Sequence, residues 1–248
     1  MSRLTLVIPC YNEEHRLPAD ELRSFAPSGF ELEIVFVNDG SSDGTLALLE
    51  RLHAENPERF TVVNLATNSG KAEAVRQGIL AALERKPDYT GFWDADLATP
   101  LSELPVFVDI LDARPNVQMV MGARVRLLGR DISRHASRHY FGRVGATLIS
   151  QTLSLAVYDT QCGAKLFRAT SDTRHVFSTQ FLSRWIFDVE IIARYVRLLG
   201  RDMAARSIVE YPVRQWHDVK GSKLKSHDFA RALRDLWRIC RAYKMKRT

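Results

Sequence analysis

With 248 residues, 46% of them hydrophobic and 26% charged, the chain has the composition of a globular protein that buries a core of its own, which excludes intrinsic disorder and collagen-like sequence. Its three cysteines, Cys10, Cys162 and Cys240, are too few and too scattered for a disulfide framework or a CxxC metal site. The formal charge of +6 is uneven: residues 220–248 carry a net +8 and the remainder −2, so the basicity belongs to the C-terminal segment.

A second basic stretch, Arg124 to Arg143, sets six arginines against Asp131, so two segments are candidates for facing a polyanion or an anionic membrane. Met1 runs directly into Leu4–Pro9, without the basic region and apolar run of a secretory leader. The longest charge-free stretch, Val144–Tyr158, is broken by Thr147, Ser150, Gln151, Thr152 and Ser154 and falls short of the roughly 20 apolar residues of a spanning helix. The chain is expected in a reducing, cytoplasmic setting with no segment crossing a membrane.

The first expected strand is Leu4–Pro9, followed by Pro9-Cys-Tyr-Asn-Glu-Glu14. The second, Glu33–Asn38, runs into Asn38-Asp-Gly-Ser-Ser-Asp-Gly-Thr45 and a helix over Thr45–Asn56 that repeats Leu46, Leu49 and Leu52. The third, Thr61–Leu65, leads through Asn68-Ser-Gly-Lys71 to a helix over Lys71–Arg85 with Val75, Ile79 and Leu83 on one side. The fourth, Thr90–Asp94, ends in Asp94-Ala-Asp96 ahead of a helix over Leu101–Ala113, and Gln118–Gly122 is the fifth. Ser133–Val213 reads as helices plus one strand, Ser207–Val213. Alternation of this kind predicts an α/β fold, a doubly wound, mostly parallel sheet with helices on both faces, whose ligands bind beyond the carboxyl ends of the strands. Four polar clusters follow strands, so all four should meet at one sheet edge.

The clusters also exclude some chemistries. There is no Gly-x-Gly-x-x-Gly, and Gly70-Lys71 lacks the glycine and the Ser or Thr that a P-loop requires around it. His135 and His139 have helical spacing, but Ala136 stands where a zinc-protease helix carries its Glu. Asp94 and Asp96 emerge after apolar Gly91, Phe92 and Trp93, where burial of two carboxylates is costly without a cation, and Mg²⁺ or Mn²⁺ held by one or two carboxylates plus substrate phosphates suits them. The alternative is a turn or a cap for the following helix. Asp43 suits a helix cap, which leaves Asp39 free for a nucleotide base or ribose, while Glu13 and Glu14 are ligands or solvated loop charges.

Together the clusters resemble the family 2 glycosyltransferases, which have the GT-A fold. Val7-Ile-Pro-Cys-Tyr-Asn-Glu-Glu14 is similar to that family's opening nucleotide-binding motif, Val37–Thr45 to its second, and Asp94-Ala-Asp96 to its metal-binding DxD. Asn68-Ser-Gly-Lys-Ala-Glu-Ala-Val-Arg76, Asp159-Thr-Gln-Cys-Gly-Ala-Lys165, Trp185-Ile-Phe-Asp-Val-Glu190 and Gly221-Ser-Lys223 resemble the polyprenyl-phosphate sugar transferases, dolichyl-phosphate β-glucosyltransferases above all. The resemblance implies a UDP-sugar donor, with Pro9, Tyr11, Glu13, Asp39 and Lys71 around the uridine part and Asp94 and Asp96 at the diphosphate and metal. It also implies that Gln161 completes the coordination of Mg²⁺ or Mn²⁺.

The implied activity is inverting transfer of a sugar, glucose by resemblance, to a polyprenyl phosphate at the cytoplasmic face of the membrane, with Asp96 and Asp188 as the catalytic pair. Asp188 either orients the acceptor or caps its helix. The acceptor phosphate needs cations, for which Arg134, Arg138, Arg143, Lys220 and Lys223 are candidates. GDP-mannose as donor and a non-lipid acceptor are alternatives; a sugar nucleotidyltransferase would need a Gly-rich phosphate loop, and residues 8–16 hold no glycine. No groove-reading or stacking motif points to nucleic acid. Residues 1–225 are expected to form the GT-A-like domain and 226–248 a basic amphipathic helix, with Phe229, Leu233, Leu236, Trp237, Cys240 and Tyr243 on its apolar side. That helix is either an interfacial anchor on an anionic membrane or a core element.

Overall fold

In the computed structural model the described residues are 1–133, 147–217 and 226–243. Seven strands make one sheet in the order β3-β2-β1-β4-β7-β5-β8. They are β1 (Ser2–Cys10), β2 (Phe30–Asp39), β3 (Phe60–Leu65), β4 (Tyr89–Trp93), β5 (Met119–Ala123), β7 (Ala164–Arg168) and β8 (Ile208–Pro212). β1 pairs in parallel with β2 and β4, β2 with β3, and β5 with β8. Two short strands, β6 (Asp131–Ser133) and β9 (Gln215–His217), form a separate parallel pair.

The helices are α1 (Ala19–Ser24), α2 (Thr45–Glu55), α3 (Lys71–Glu84), α4 (Leu104–Ala113), α5 (147–153), α6 (Ser171–Phe177), α7 (Phe187–Leu199), α8 (Arg201–Ser207) and α9 (Ser226–Ala242). Side chains alternate across each strand, so β1 sends Leu4, Leu6 and Ile8 to one face and Val7 to the other. The first face is covered by Leu49 and Leu52 of α2 and by Leu104, Phe107 and Leu111 of α4. The second is covered by Ala74, Val75 and Ile79 of α3, Ile191 and Ile192 of α7 and Ile239 of α9. At Gly78 of α3 a Cβ would collide with Val7 and Val37, so this glycine sets how closely α3 lies on the sheet.

β7 departs from the sequence reading, which placed only one strand between Ser133 and Val213. It inserts antiparallel between β4 and β5, with Phe92 opposite Lys165 and Trp93 opposite Ala164. Its apolar run is interrupted by Lys165, a charge that reads as a surface position from sequence and is fully buried in the fold. β4 ends at Trp93, so Asp94 is the first residue beyond the strand.

α9 splits its expected apolar side. Leu236 and Tyr243 pack on the second face together with Ala232 and Ile239, whereas Leu233 and Trp237 are exposed at 42% and 59%. The side chain of Phe229 lies outside the described residues. Asp235, reading as polar surface, is buried and accepts a 2.8 Å hydrogen bond from Ser183 Oγ, and the Tyr243 hydroxyl donates to Glu190 Oε1 at 2.8 Å. The helix is therefore docked on the body of the protein by one face while a second, narrower apolar strip stays open.

Candidate active site

The loops that follow β1, β2 and the third strand interlock at the carboxyl edge of the sheet. Asn12 adopts a left-handed conformation (φ 55°), which asparagine tolerates; its Oδ1 accepts from Ser42 N at 2.9 Å and its N–H donates to Ser41 Oγ at 3.1 Å. Glu13 N–H donates to Thr45 Oγ1 at 2.8 Å. Asp43 lies one residue before the N-cap of α2 and accepts from Thr45 N at 3.0 Å, so the expected cap is realised from that position. Burial opposes its charge, but hydrogen bonds from Thr45 and from the backbone hold its carboxyl below the usual range. Pro9 is half-buried at the end of β1, past Val7, the last residue paired with β4, and Tyr11 is exposed just beyond it.

Asp39 is buried and spends both oxygens on the loop ahead of α3: Oδ1 accepts from Ser69 N at 2.7 Å and Oδ2 from Gly70 N at 2.9 Å. The adjoining Gly40 (φ 63°) runs so close to Thr67 and Asn68 that a Cβ would touch their backbone at 2.5 Å. These contacts set the start of α3, and with it Lys71. Lys71 Nζ hydrogen-bonds to Asp94 Oδ1. Partial burial opposes the charge on Lys71, yet Asp94, Asp188 and Asp96 around it keep its pKa above the ordinary lysine value. It is a fixed cation rather than a base.

Asp96 is a half-buried carboxylate whose Oδ1 accepts from Ala98 N at 3.2 Å and whose Oδ2 lies 3.4 Å from Arg16 Nη2. Burial first, and then the neighbouring Asp94, push its carboxyl above the ordinary aspartate range. Leu97 follows in the left-handed region (φ 47°), a strained conformation for a leucine, and Trp93 Nε1 pins the turn by donating to Thr99 O at 2.6 Å. Asp94 is aligned from the other side by the loop before β7. Its N–H donates to Gly163 O at 2.9 Å, and its carboxyl group lies where a Cβ on Gly163 would be.

That loop also carries Gln161, whose Nε2 is buried with no hydrogen-bond partner. An amide side chain offers an oxygen acceptor as well as an N–H donor, so Gln161, carried on the loop that aligns Asp94, can add an oxygen ligand to a cation held by the two carboxylates. Among the described residues no group of three or more His, Cys, Asp or Glu side chains gathers as a metal site. The donor set Asp94, Asp96 and Gln161 therefore fits a Mg²⁺- or Mn²⁺-type ion that draws further oxygens from a substrate diphosphate.

Asp188, at the start of α7, is buried with Oδ1 2.6 Å from Nζ of fully buried Lys165. The same ammonium donates to Cys162 O at 2.6 Å and sits 5.2 Å above the Phe92 ring. Asp188 is thus the counter-ion of Lys165, a contact that anchors the start of α7 rather than capping it, since the N-cap of α7 is Ile186. Arg134, Arg138, Arg143, Lys220 and Lys223, together with His135 and His139, lie outside the described residues. Sequence reasoning missed Arg16, Arg124, Lys165 and Glu210. Arg124 falls in the basic stretch and Lys165 in the Asp159–Lys165 motif, but neither position tells the role of these four, because their partners Asp96, Asp159, Asp188 and the Tyr158–Asp159 backbone are distant in sequence.

With this geometry the comparisons are unambiguous about class. Residues 5–175 match the family model described as Glycosyl transferase family 2, and the chain belongs to that family. It is a nucleotide-sugar glycosyltransferase. In sequence it is similar to the dolichyl-phosphate beta-glucosyltransferase of Trichomonas vaginalis, 33% identical across 95% of this chain and 72% of that one. The dolichyl-phosphate beta-glucosyltransferase of Saccharomyces cerevisiae is 32% identical across 97% and 75%. In fold it is similar to glucosyl-3-phosphoglycerate synthase from Mycobacterium tuberculosis in complex with Mn²⁺, UDP and glucosyl-3-phosphoglycerate, with TM-score 0.65, 18% identity and coverage of 96% and 80%.

Proposed function

We propose that the chain transfers glucose, with inversion, from UDP-glucose to a polyprenyl phosphate at the cytoplasmic membrane face. The observation that carries this reading is the meeting of Lys71, Asp94, Asp96 and Arg16 at the carboxyl edge of the sheet, where the loop that carries Gln161 aligns Asp94. The relatives named for dolichyl-phosphate glucosylation support the choice of sugar and acceptor.

On this reading Pro9, Tyr11, Glu13 and Asp39 surround the uridine. The Asp39 carboxylate, which already accepts two backbone N–H groups, retains lone pairs for an imide N–H or a ribose hydroxyl. Lys71, expected beside the uridine but hydrogen-bonded to Asp94, is reassigned to the leaving diphosphate, to which it and Arg16 bring positive charge. Asp94, Asp96 and Gln161 would hold a divalent cation, which would supply further charge stabilisation of the leaving diphosphate. A phosphate monoester has its second pKa near ~6, so the acceptor oxygen is anionic at neutral pH and a strong base is unnecessary. A buried, ion-paired Asp188 is compatible with this chemistry, since no proton has to be removed.

The basic candidates Arg134, Arg138, Arg143, Lys220 and Lys223 are assigned to the acceptor phosphate. Support comes from β6 and β9, which end side by side at Ser133 and His217, directly before the two basic segments, while His217 N–H donates to Ala98 O at 3.1 Å in the Asp96 turn. Among the described residues no helix is long and apolar enough to cross a membrane. Two exposed apolar features support a peripheral contact: Leu233 and Trp237 among the α9 arginines, and the fully exposed Leu128 with Leu127 in the turn before β6.

The test is transfer of radiolabelled sugar to polyprenyl phosphate in vesicles, comparing UDP-glucose with GDP-mannose and Mn²⁺ with Mg²⁺. Product with UDP-glucose, lost in Asp96→Asn, is expected; product only from GDP-mannose, or only on a water-soluble acceptor, overturns the assignment. Sedimentation with anionic vesicles at low salt, reduced by Leu233→Ser with Trp237→Ser, tests the membrane contact.

A further inference from the structure

Behind Gln161 lies a set of buried and half-buried charges that do not belong to the donor-binding clusters. Arg124, one residue past β5, grips Asp159 bidentately: Nε donates to Oδ2 at 2.7 Å and Nη2 to Oδ1 at 2.8 Å, while its backbone N–H reaches Oδ2 at 3.0 Å. Its guanidinium lies 5.3 Å from the centre of the Trp216 ring in β9. The same Oδ1 of Asp159 accepts from the backbone N–H of Gln161 at 3.1 Å. From β8, Glu210 accepts from Tyr158 N at 2.8 Å and from Asp159 N at 2.8 Å, fixing the backbone on which Asp159 stands.

Burying Asp159 and half-burying Arg124 and Glu210 costs desolvation, and apolar packing of equal volume is often at least as stable. What such a cluster supplies is direction. Gln161 needs it, since its side chain is a neutral, flexible amide and its Nε2 has no hydrogen bond to anchor it. Groups that hold metal ligands in place from behind commonly contribute 10- to 100-fold in metal affinity.

We propose that Asp159, clamped by Arg124 and by Glu210 of β8, is a positioning residue that fixes Gln161 for the divalent cation. The proposal rests on the metal reading of the site given above. Its readout is the factor by which Mn²⁺ tightens UDP binding to the full chain, measured by calorimetry as UDP affinity with and without Mn²⁺. Wild-type protein should show tightening that Gln161→Ala reduces by about tenfold. Asp159→Asn should reduce it by about the same factor while metal-free UDP affinity stays within about twofold, and it should add nothing in the Gln161→Ala background, because both changes act through one group. If Asp159→Asn does not fold, Glu210→Gln, which keeps the volume and loses the carboxylate, carries the test, with thermal melting as the folding control. Tightening that survives Gln161→Ala overturns the metal reading, and the proposal with it. Tightening lost in Gln161→Ala but intact in folded Asp159→Asn and Glu210→Gln overturns the positioning role alone.

Discussion

Gly163→Ala is the most direct perturbation of the candidate active site, because the change is a single methyl group and the backbone tolerates it. Gly163 does not lie in the left-handed region, so alanine brings no torsional strain. Its Cβ, however, would meet the carboxyl carbon and both oxygens of Asp94 well inside 3.0 Å, closer than Cβ contacts run. Restoring the 3.4 Å of ordinary contact requires the Asp94 carboxylate to retreat by about 1 Å or more, and its bond to Lys71 must break or shift with it. Misplacing a catalytic group by about 1 Å costs on the order of 100-fold in rate, or about 2.7 kcal/mol of barrier. On the proposed function, the expected outcome is a fall of about 100-fold in kcat/KM for sugar transfer, with a reduced Mn²⁺ dependence of nucleotide binding. The melting temperature should change by only a few degrees, since the methyl lies among loop side chains at the sheet edge. Activity within threefold of wild type in a folded Gly163→Ala protein would refute the placement of Asp94 in the site.

Three further outcomes follow from particular contacts. Lys165→Met leaves Asp188 buried without its cation and should cost about 3–5 kcal/mol in urea unfolding, whereas Lys165→Met with Asp188→Leu should recover most of that loss; a double variant no more stable than the single one would contradict the pairing. Asp39→Asn turns an acceptor of two backbone N–H groups into one acceptor and a clashing donor, so UDP affinity should weaken by about tenfold or more, measurable by calorimetry, through the loop that carries Lys71. Glu73 is hydrogen-bonded by Arg76, which outweighs its partial burial and holds its carboxyl below the ordinary glutamate value. A depressed folded-state pKa contributes stability that is present above the ordinary glutamate range and lost as pH falls through the folded value. Unfolding free energy should therefore decline on acidification more shallowly in Glu73→Gln than in wild type, and identical pH profiles would exclude the contribution.

Much of this protein is written locally in its sequence. Strand and helix alternate with periods of two and about 3.6, and turn-forming residues mark the strand ends, so six of the seven main strands, all but β7, and the helices starting at Thr45 and Lys71 are legible from side-chain spacing alone. The Asp94-Ala-Asp96 cluster also stands out in the sequence as two carboxylates after an apolar strand, with a turn or a helix cap as the alternative use. Tertiary structure decided the partners. Lys71 meets Asp94 and Arg16 meets Asp96 where loops after different strands converge, and Lys165 meets Asp188 because β7 slots antiparallel between β4 and β5. It also decided which face of α9 docks: Ile239, Leu236 and Ala232 are chosen over Leu233 and Trp237, two strips that differ by a small rotation of the same helix. Periodicity reports how each segment divides apolar from polar, a property of neighbours in the chain. The choice of partner for a single buried charge or a single helix face depends on shape and on desolvation, to which residues far apart in sequence contribute together.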